Sequence, residues 1–180
     1  MFTRASLTVV TLWISLMTLQ GSAADKLNVG DKAPDFSLPL ATKDSITEAM
    51  KLSDVIGKNN IILAFYPADW SGGCTVEMCT LRDNFAVLGE LGATVFGISG
   101  DYVYSHKEWA KHHDLQFGLL SDHDHAVAKK YLSYNDQSGM NQRTVYVIDR
   151  KGNIAYIDPA YKAREAASFD NLKAALAKLK

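Results

Sequence analysis

The sequence has few cysteines, few prolines and no excess of charge of either sign. Two cysteines in 180 residues exclude a small scaffold held together by many disulfides. Four prolines and 12 glycines exclude collagen-like and low-complexity chains. With 19 Lys and Arg against 20 Asp and Glu, the chain lacks the basic surface typical of nucleic-acid binding, so we expect no nucleic-acid partner. The remaining composition, 47% hydrophobic, is typical of a globular domain that acts on small molecules.

The first 24 residues carry a single charge, that of Arg4, before a short apolar centre, and they end in small residues. This pattern predicts a signal peptide over residues 1–24, cleaved after Ala23 or Ala24, and a mature domain over residues 25–180. An uncleaved membrane anchor is the alternative, but serine and threonine dilute a segment already short of the ~20 apolar residues that a span needs. We therefore expect a periplasmic or secreted protein that is free of the membrane after cleavage.

Apolar runs alternate with helical patterns along residues 25–180. Residues 61–65 form a continuous apolar run, typical of a strand buried on both faces, and residues 75–88 have the spacing of a helix with one buried face. A short helix is also predicted around residues 46–55, within an N-terminal arm rich in turn formers. Two strands joined by a hairpin turn and a C-terminal helix complete the pattern. These elements predict an α/β domain of three layers with a central mixed β-sheet.

Cys74 follows the predicted buried strand and lies at the start of the predicted helix. Unpaired backbone N–H groups and the helix dipole favour negative charge at such a position, and the thiolate is the nucleophilic form of cysteine. The alternative is an inert cysteine buried in the core. Cys74 is therefore a candidate nucleophile.

Cys79 lies five residues after Cys74, which places their Cα atoms roughly 8 to 9 Å apart on a regular helix. A disulfide requires a separation below about 7 Å, so the two cysteines can bond only if the first helical turn unwinds. Gly72 and Gly73 would ease that unwinding. Cys79 is then either the partner of Cys74 in a redox-dependent disulfide or a residue that packs in the core.

Two other kinds of site find less support in the sequence. The cysteine spacing is not the Cys-x-x-Cys of a disulfide oxidoreductase, and two cysteines without two further ligands make a poor zinc site. All five histidines fall between His106 and His125, which leaves an exported metal-binding protein as an alternative function. Because a metal site needs three or four convergent ligands, we favour a solvated helix and loop there, and we expect no metal or other cofactor.

Residues 67–74, Pro-Ala-Asp-Trp-Ser-Gly-Gly-Cys, resemble the Pro-x-x-x-Thr/Ser-x-x-Cys signature of peroxiredoxins. The longer run over residues 65–83 is similar to the bacterioferritin comigratory protein, or peroxiredoxin Q, branch of that family, in which a resolving cysteine lies five residues after the reactive one. The similarity extends over most of the predicted mature domain. It includes the segments 29–36, 97–99, 105–107, 119–122, 127–131 and 143–149.

The resemblance implies a thioredoxin-like fold and a thiol peroxidase that reduces hydrogen peroxide and organic hydroperoxides. It implies that Cys74 is the peroxidatic nucleophile, that Pro67 shields it, and that the Ser71 hydroxyl contacts the thiolate and the peroxide. By the same resemblance, Arg143 is the cation beside them and Cys79 is the resolving thiol. Serine at position 71 departs from the more frequent threonine, which keeps the hydroxyl but loses the methyl group that restricts its rotamer.

The expected cycle begins when the Cys74 thiolate is oxidised to a sulfenic acid, which then condenses with Cys79 to an intramolecular disulfide. A thioredoxin-like protein or a small thiol reduces that disulfide by exchange. Because resolution takes place within one chain, a monomer suffices, and we expect a monomer. The alternative that keeps the same fold and cysteines is a redox sensor or holdase, which reacts once per chain instead of turning over.

Overall fold

A computed structural model describes residues 26–179 of the protein. The predicted signal peptide, residues 1–24, lies outside the described residues. Within the described range, no helix is long and apolar enough to cross a membrane. The strands are β1 (Ser37–Ala41), β2 (Ile46–Lys51), β3 (Asn60–Phe65), β4 (Ala93–Ser99), β5 (Gly118–Ser121), β6 (Tyr134–Asn135), β7 (Met140–Asn141), β8 (Thr144–Ile148) and β9 (Ile154–Asp158). The helices are α1 (Leu52–Val55), α2 (Gly72–Asp83), α3 (Phe85–Glu90), α4 (Val103–His112), α5 (Ala126–Lys130) and α6 (Ala166–Ala177).

Seven of these strands form a central sheet in the order β2-β1-β5-β4-β3-β8-β9. Strands β3, β4 and β5 run parallel to one another, and the other neighbours pair antiparallel. Every residue of β3, the apolar run predicted as a strand, is buried. The predicted α/β domain with a central mixed sheet is therefore confirmed.

The sheet separates two hydrophobic cores. Along β3, Ile62 and Ala64 point into the first core and Ile61 and Leu63 into the second, because side chains alternate between the two faces of a strand. Helices α2, α3, α4 and α6 contribute to the first core, and α1 and α5 contribute to the second. This arrangement confirms the predicted three layers. Cys74 lies in the first core.

The helix predicted around residues 46–55 was wrong over most of its length. The first six residues of that segment form β2, which pairs antiparallel with β1, and only Leu52–Val55 is helical. Thr42 closes the turn between the two strands, since its Oγ1 accepts hydrogen bonds from two backbone N–H groups. Pro39 suggested a turn-rich arm, yet it lies within β1 at a register irregularity, where a missing N–H group is tolerated.

The helix predicted over residues 75–88 is divided at Asn84 into α2 and α3. Asn84 Nδ2 donates to the carbonyl oxygen of Thr80 at 2.9 Å, and such side-chain hydrogen bonds compete with the helical backbone pattern. At its other end, α2 begins at Gly72, directly after the loop that leaves β3. The sheet and this loop therefore determine where the first cysteine lies.

Candidate active site

Cys74 lies in the first turn of α2, where the chain turns back after leaving the sheet. The loop runs from Tyr66, whose N–H donates to the Ile98 carbonyl oxygen at 3.0 Å, to Ser71, the N-cap of α2. Cys74 is fully buried and carries a free thiol. The N–H groups of a first helical turn have no intrahelical acceptors, so this end of the helix stabilises negative charge.

Arg143 contacts Cys74 across 69 positions of sequence. Its Nη2 donates to Cys74 Sγ at 3.3 Å, and its Nη1 donates to Glu77 Oε2 at 2.6 Å. Gly73 makes this close approach possible, because a Cβ atom there would lie 2.6 Å from Arg143 Nη2. The structure therefore places the predicted cation directly beside the predicted nucleophile.

Glu77 binds the other half of the Arg143 guanidinium and is itself fully buried. Its Oε1 has no hydrogen-bond partner among the described residues. Burial raises the pKa of Glu77 to about 7, although the nearby Arg143 acts in the opposite direction. The Arg143 guanidinium thus donates hydrogen bonds to both a carboxyl group and a thiol. The spacing of three between Cys74 and Glu77, which places both on one helix face, is the sequence feature that could have indicated this arrangement.

Pro67 and Ser71, the other two residues predicted for the site, lie on the loop before α2. Pro67 directly follows the last residue that bonds to β4 and is partly buried. The Ser71 carbonyl oxygen accepts hydrogen bonds from the N–H and the Oγ1 of Thr75, at 2.9 and 3.0 Å. The Ser71 hydroxyl, in contrast, makes no capping hydrogen bond to the helix. This hydroxyl is therefore not engaged by the backbone of the helix it precedes.

Cys79 lies on the same helix as Cys74 but has different neighbours. Helix α2 is unbroken through both residues, and both thiols are free. Cys79 is partly exposed, and its Sγ lies 3.9 Å from His113 Nδ1 at the end of α4. The structure therefore corresponds to the reduced protein with an intact first turn of α2.

A buried polar cluster holds the loop that precedes α2. Asp69 accepts hydrogen bonds from Tyr66 OH at 2.8 Å and from Ser105 Oγ at 2.7 Å. The Asp69 carboxylate also lies 3.0 Å from His106 Nδ1, and both side chains are fully buried. His106 Nε2 faces the Leu120 carbonyl oxygen at 3.2 Å. The imidazole of His106 is therefore held between the Asp69 carboxylate and the Leu120 carbonyl oxygen.

The sequence did not reveal this cluster. Its only sign was that Ser105 and His106 belong to one of the segments that resemble the family. Neither the spacing nor the composition indicates that their partner is an aspartate 36 and 37 positions away. The cluster depends on the packing of α4 against the loop after β3.

The remaining histidines do not assemble into a metal site. His123 Nδ1 lies 3.0 Å from the Gly100 carbonyl oxygen, and His125 Nδ1 lies 2.8 Å from Asn141 Oδ1. Over residues 26–179, no three His, Cys, Asp or Glu side chains are grouped so that they could hold a metal ion.

An open cleft of about 300 Å³ lies beside Arg143. Its lining consists of Gly73, Arg143 and residues 161–165. Cys74 is fully buried and does not line this cleft, but its sulfur contacts Arg143, which does. The Arg143 guanidinium therefore connects the cleft to the buried sulfur.

Comparison with known proteins gives the same family for most of the chain. Residues 29–157 match the AhpC/TSA family. The chain is 40% identical over 138 residues to "Peroxiredoxin Q, chloroplastic" of Triticum aestivum, covering 76% of the chain but only 61% of that protein's length. It is 38% identical over 142 residues to "Putative peroxiredoxin bcp" of Coxiella burnetii, covering 76% of the chain and 91% of the relative.

A solved structure gives the same answer for the fold. The crystal structure of Peroxidoxin BcpB from Mycobacterium tuberculosis has a TM-score of 0.76 and 28% sequence identity, and the match covers 86% of the chain and 99% of that structure. The predicted thioredoxin-like fold is therefore confirmed. The chain belongs to the AhpC/TSA family and is, within it, a peroxiredoxin related to peroxiredoxin Q and Bcp.

Proposed function

We propose that the protein is a thiol peroxidase that reduces hydrogen peroxide and organic hydroperoxides at Cys74. The 3.3 Å contact between Arg143 Nη2 and Cys74 Sγ, in the first turn of α2, is the observation that carries the proposal. A sulfur that lies beside a guanidinium in the first turn of a helix is suited to attack a peroxide O–O bond, since the guanidinium and the positive end of the helix stabilise the charge that develops. Membership of the peroxiredoxins supports the same activity.

The first step of the reaction takes place at Cys74. Its sulfur attacks one peroxide oxygen, and the second oxygen leaves as hydroxide or alkoxide and takes up a proton. Arg143 stabilises the negative charge as the O–O bond breaks. Ser71 supplies a hydroxyl to the peroxide, and Pro67 shields the thiolate. The product on the enzyme is a sulfenic acid.

The second step joins Cys74 to Cys79. The sulfenic acid condenses with the second thiol to a disulfide with loss of water. The first turn of α2 must unwind, because a regular helix holds the two cysteines too far apart to bond. A Cβ atom at Gly72 would meet nothing within 4 Å, so packing does not require a glycine at this position. The backbone freedom of glycine, which eases unwinding of the first turn, explains its presence better.

The cycle closes when a thioredoxin-like protein or a small thiol reduces the disulfide. In this proposal residues 1–24 direct export to the periplasm or the outside of the cell, and residues 25–180 act there as a monomer that is free of the membrane. The support is the apolar N-terminal sequence with its single charge, together with a resolution step that needs only one chain.

Peroxide consumption, followed with a thioredoxin or a small thiol as reductant, tests the activity. Cys74→Ser should abolish consumption. Without added reductant, Cys79→Ser should consume one equivalent per chain and then stop, leaving a sulfenic acid that dimedone traps. Catalytic turnover by the Cys74→Ser protein would refute the proposal. A parent protein that stops after one equivalent with every reductant would instead be a redox sensor.

The mass of the protein recovered after expression with residues 1–24 present tests the predicted export. We expect the extracytoplasmic fraction to contain a chain that begins at Ala24 or Asp25. Recovery of the intact chain in the membrane fraction would favour the uncleaved anchor.

A further inference from the structure

His113 lies beside the second thiol of the proposed cycle and takes no part in the first step. It follows the last residue of α4, and its Nδ1 lies 3.9 Å from Cys79 Sγ on α2. Arg82, also on α2, donates from Nη1 to the His113 carbonyl oxygen at 2.7 Å. Two contacts therefore tie the end of α4 to the later part of α2, and one of them joins an imidazole to a thiol.

Cys79 needs a proton acceptor if it is to resolve a sulfenic acid. A thiol must lose its proton as its sulfur attacks, and a free cysteine is only a few per cent thiolate at pH 7. Among the hydrogen-bond partners in residues 26–179, His113 Nδ1 is the one that faces Cys79 Sγ. An imidazole nitrogen without a hydrogen is the usual acceptor for this task.

We propose that His113 is the general base of the resolving step, an inference that rests on the proposed function. Nδ1 takes the proton of Cys79 Sγ as that sulfur attacks the sulfur of the Cys74 sulfenic acid. The S–S bond forms while the S–OH bond breaks, and the departing hydroxide takes the proton from the His113 imidazolium and leaves as water. The sulfenic sulfur is reduced and the thiol sulfur is oxidised, so no further oxidant is needed.

The groups around His113 favour a neutral imidazole that is ready to accept a proton. Burial lowers the pKa of His113 from its usual 6.5, and the nearby His112 on α4 and Arg82 on α2 act in the same direction. Asp114, the acidic neighbour in sequence, is paired with Lys43 at 2.6 Å. Arg82 lies three positions after Cys79 on α2, which places both side chains on one side of the helix.

The position of Cys79 allows it to keep its base while α2 opens. Cys79 lies about two turns into the helix, and the hydrogen bond of Arg82 holds this later part against α4. Gly72 and Cys74 belong to the first turn, which is the part that must unwind. The sulfenic acid therefore moves toward a thiol that stays beside the imidazole.

Separate measurement of the two steps tests the proposal. Reduced protein is mixed with one equivalent of hydrogen peroxide and quenched at intervals, and mass spectrometry follows the sulfenic acid and the disulfide. His113→Ala should slow disulfide formation at pH 7 about 10²-fold, and added imidazole should restore part of the rate. His123→Ala is the matched control, because that exposed ring stacks on Tyr102 and its Nδ1 faces the Gly100 carbonyl oxygen and not the thiol, and it should leave the rate within about twofold.

The pH dependence of disulfide formation gives a reading that loss of structure alone would not change. In the parent protein the rate should fall at pH values below 6.5, because a protonated imidazole cannot accept a proton. In His113→Ala the change of rate that belongs to protonation of the imidazole, the acid limb of the profile, should be absent. The rate should instead rise steadily with pH across the whole range. An unchanged rate and an unchanged acid limb in His113→Ala would overturn the proposal.

Alkylation of Cys79 separates this inference from the proposed function. In Cys74→Ser it is the only thiol, and its reaction with iodoacetamide at pH 7 should slow about tenfold when His113 is also replaced by alanine. If peroxide never oxidises Cys74, the proposed function and the role of His113 in resolution are both refuted, and the alkylation rates do not change that conclusion. If peroxide does oxidise Cys74 while neither alkylation nor disulfide formation responds to His113, the inference fails and the peroxidase stands.

Discussion

Replacing Glu77 by glutamine should change how the stability of the protein depends on pH. The Glu77 carboxyl group is fully buried, binds Arg143 through Oε2 and leaves Oε1 unpaired among the described residues. Burial raises the pKa of Glu77 from 4.5 to about 7. The folded chain therefore holds this proton more tightly than the unfolded chain. The resulting stabilisation is complete below pH 4.5 and is lost as the pH rises through about 7.

The size of the effect follows from the two pKa values. One pKa unit corresponds to about 1.4 kcal/mol, so the rise from 4.5 to about 7 at Glu77 should remove about 3 kcal/mol of stability between pH 4.5 and pH 8. Glutamine cannot ionise, and its amide oxygen can still accept the hydrogen bond from Arg143. Relative to Glu77→Gln, the parent protein should therefore become less stable by about 3 kcal/mol over this range.

Urea unfolding at a series of pH values measures this difference. All other titratable groups are common to the two proteins, so subtracting one free energy of unfolding from the other isolates Glu77. Glu90→Gln, which changes an exposed carboxylate at the end of α3, is the control and should track the parent protein. Parallel curves for the parent and Glu77→Gln, within about 1 kcal/mol from pH 4.5 to pH 8, would refute the reasoning.

Three further substitutions test other parts of the structure. Arg143→Gln should slow the oxidation of the buried thiol by hydrogen peroxide about 10²- to 10³-fold in stopped-flow measurements, and a loss below tenfold would contradict its role. Asp69→Asn should lower the free energy of unfolding in urea by about 1 to 3 kcal/mol, because it removes a buried carboxylate that accepts from Tyr66 and Ser105 and contacts His106, and a loss below about 0.5 kcal/mol would contradict that role. Gly97→Ala should destabilise the fold by about 1 to 3 kcal/mol, since its Cβ would lie 2.7 Å from a leucine side chain. Gly89→Ala, with open space around its Cβ, is the matched control and should be neutral or stabilising in the same assay.

Those parts of the fold that depend on local pattern could be predicted from the sequence. The apolar run over residues 61–65 identified β3, because a strand buried on both faces must be apolar along its whole length. Strand β2 was missed because its pairing with β1 across a turn, and not its own periodicity, makes it a strand. The break at Asn84 was also missed, because one side-chain hydrogen bond decides it.

The residues of the candidate site also divide into those that the local sequence indicates and those that it does not. Cys74, Cys79 and Arg143 could be named from their positions and from the resemblance of the surrounding segments to peroxiredoxins. The buried contact of Asp69 with His106 could not, because charge and spacing do not indicate which groups lose their water.

By itself the sequence determined that the two cysteines lie five positions apart at the start of a helix, a spacing that opposes a disulfide while the helix is intact. Covalent order and helix geometry are sufficient for that conclusion. Only the tertiary structure decided which groups meet the two sulfurs, Arg143 at Cys74 and His113 at Cys79. These partners are 69 and 34 positions away, so the packing of strands and helices around the sheet, and not the order of residues, brings them into contact.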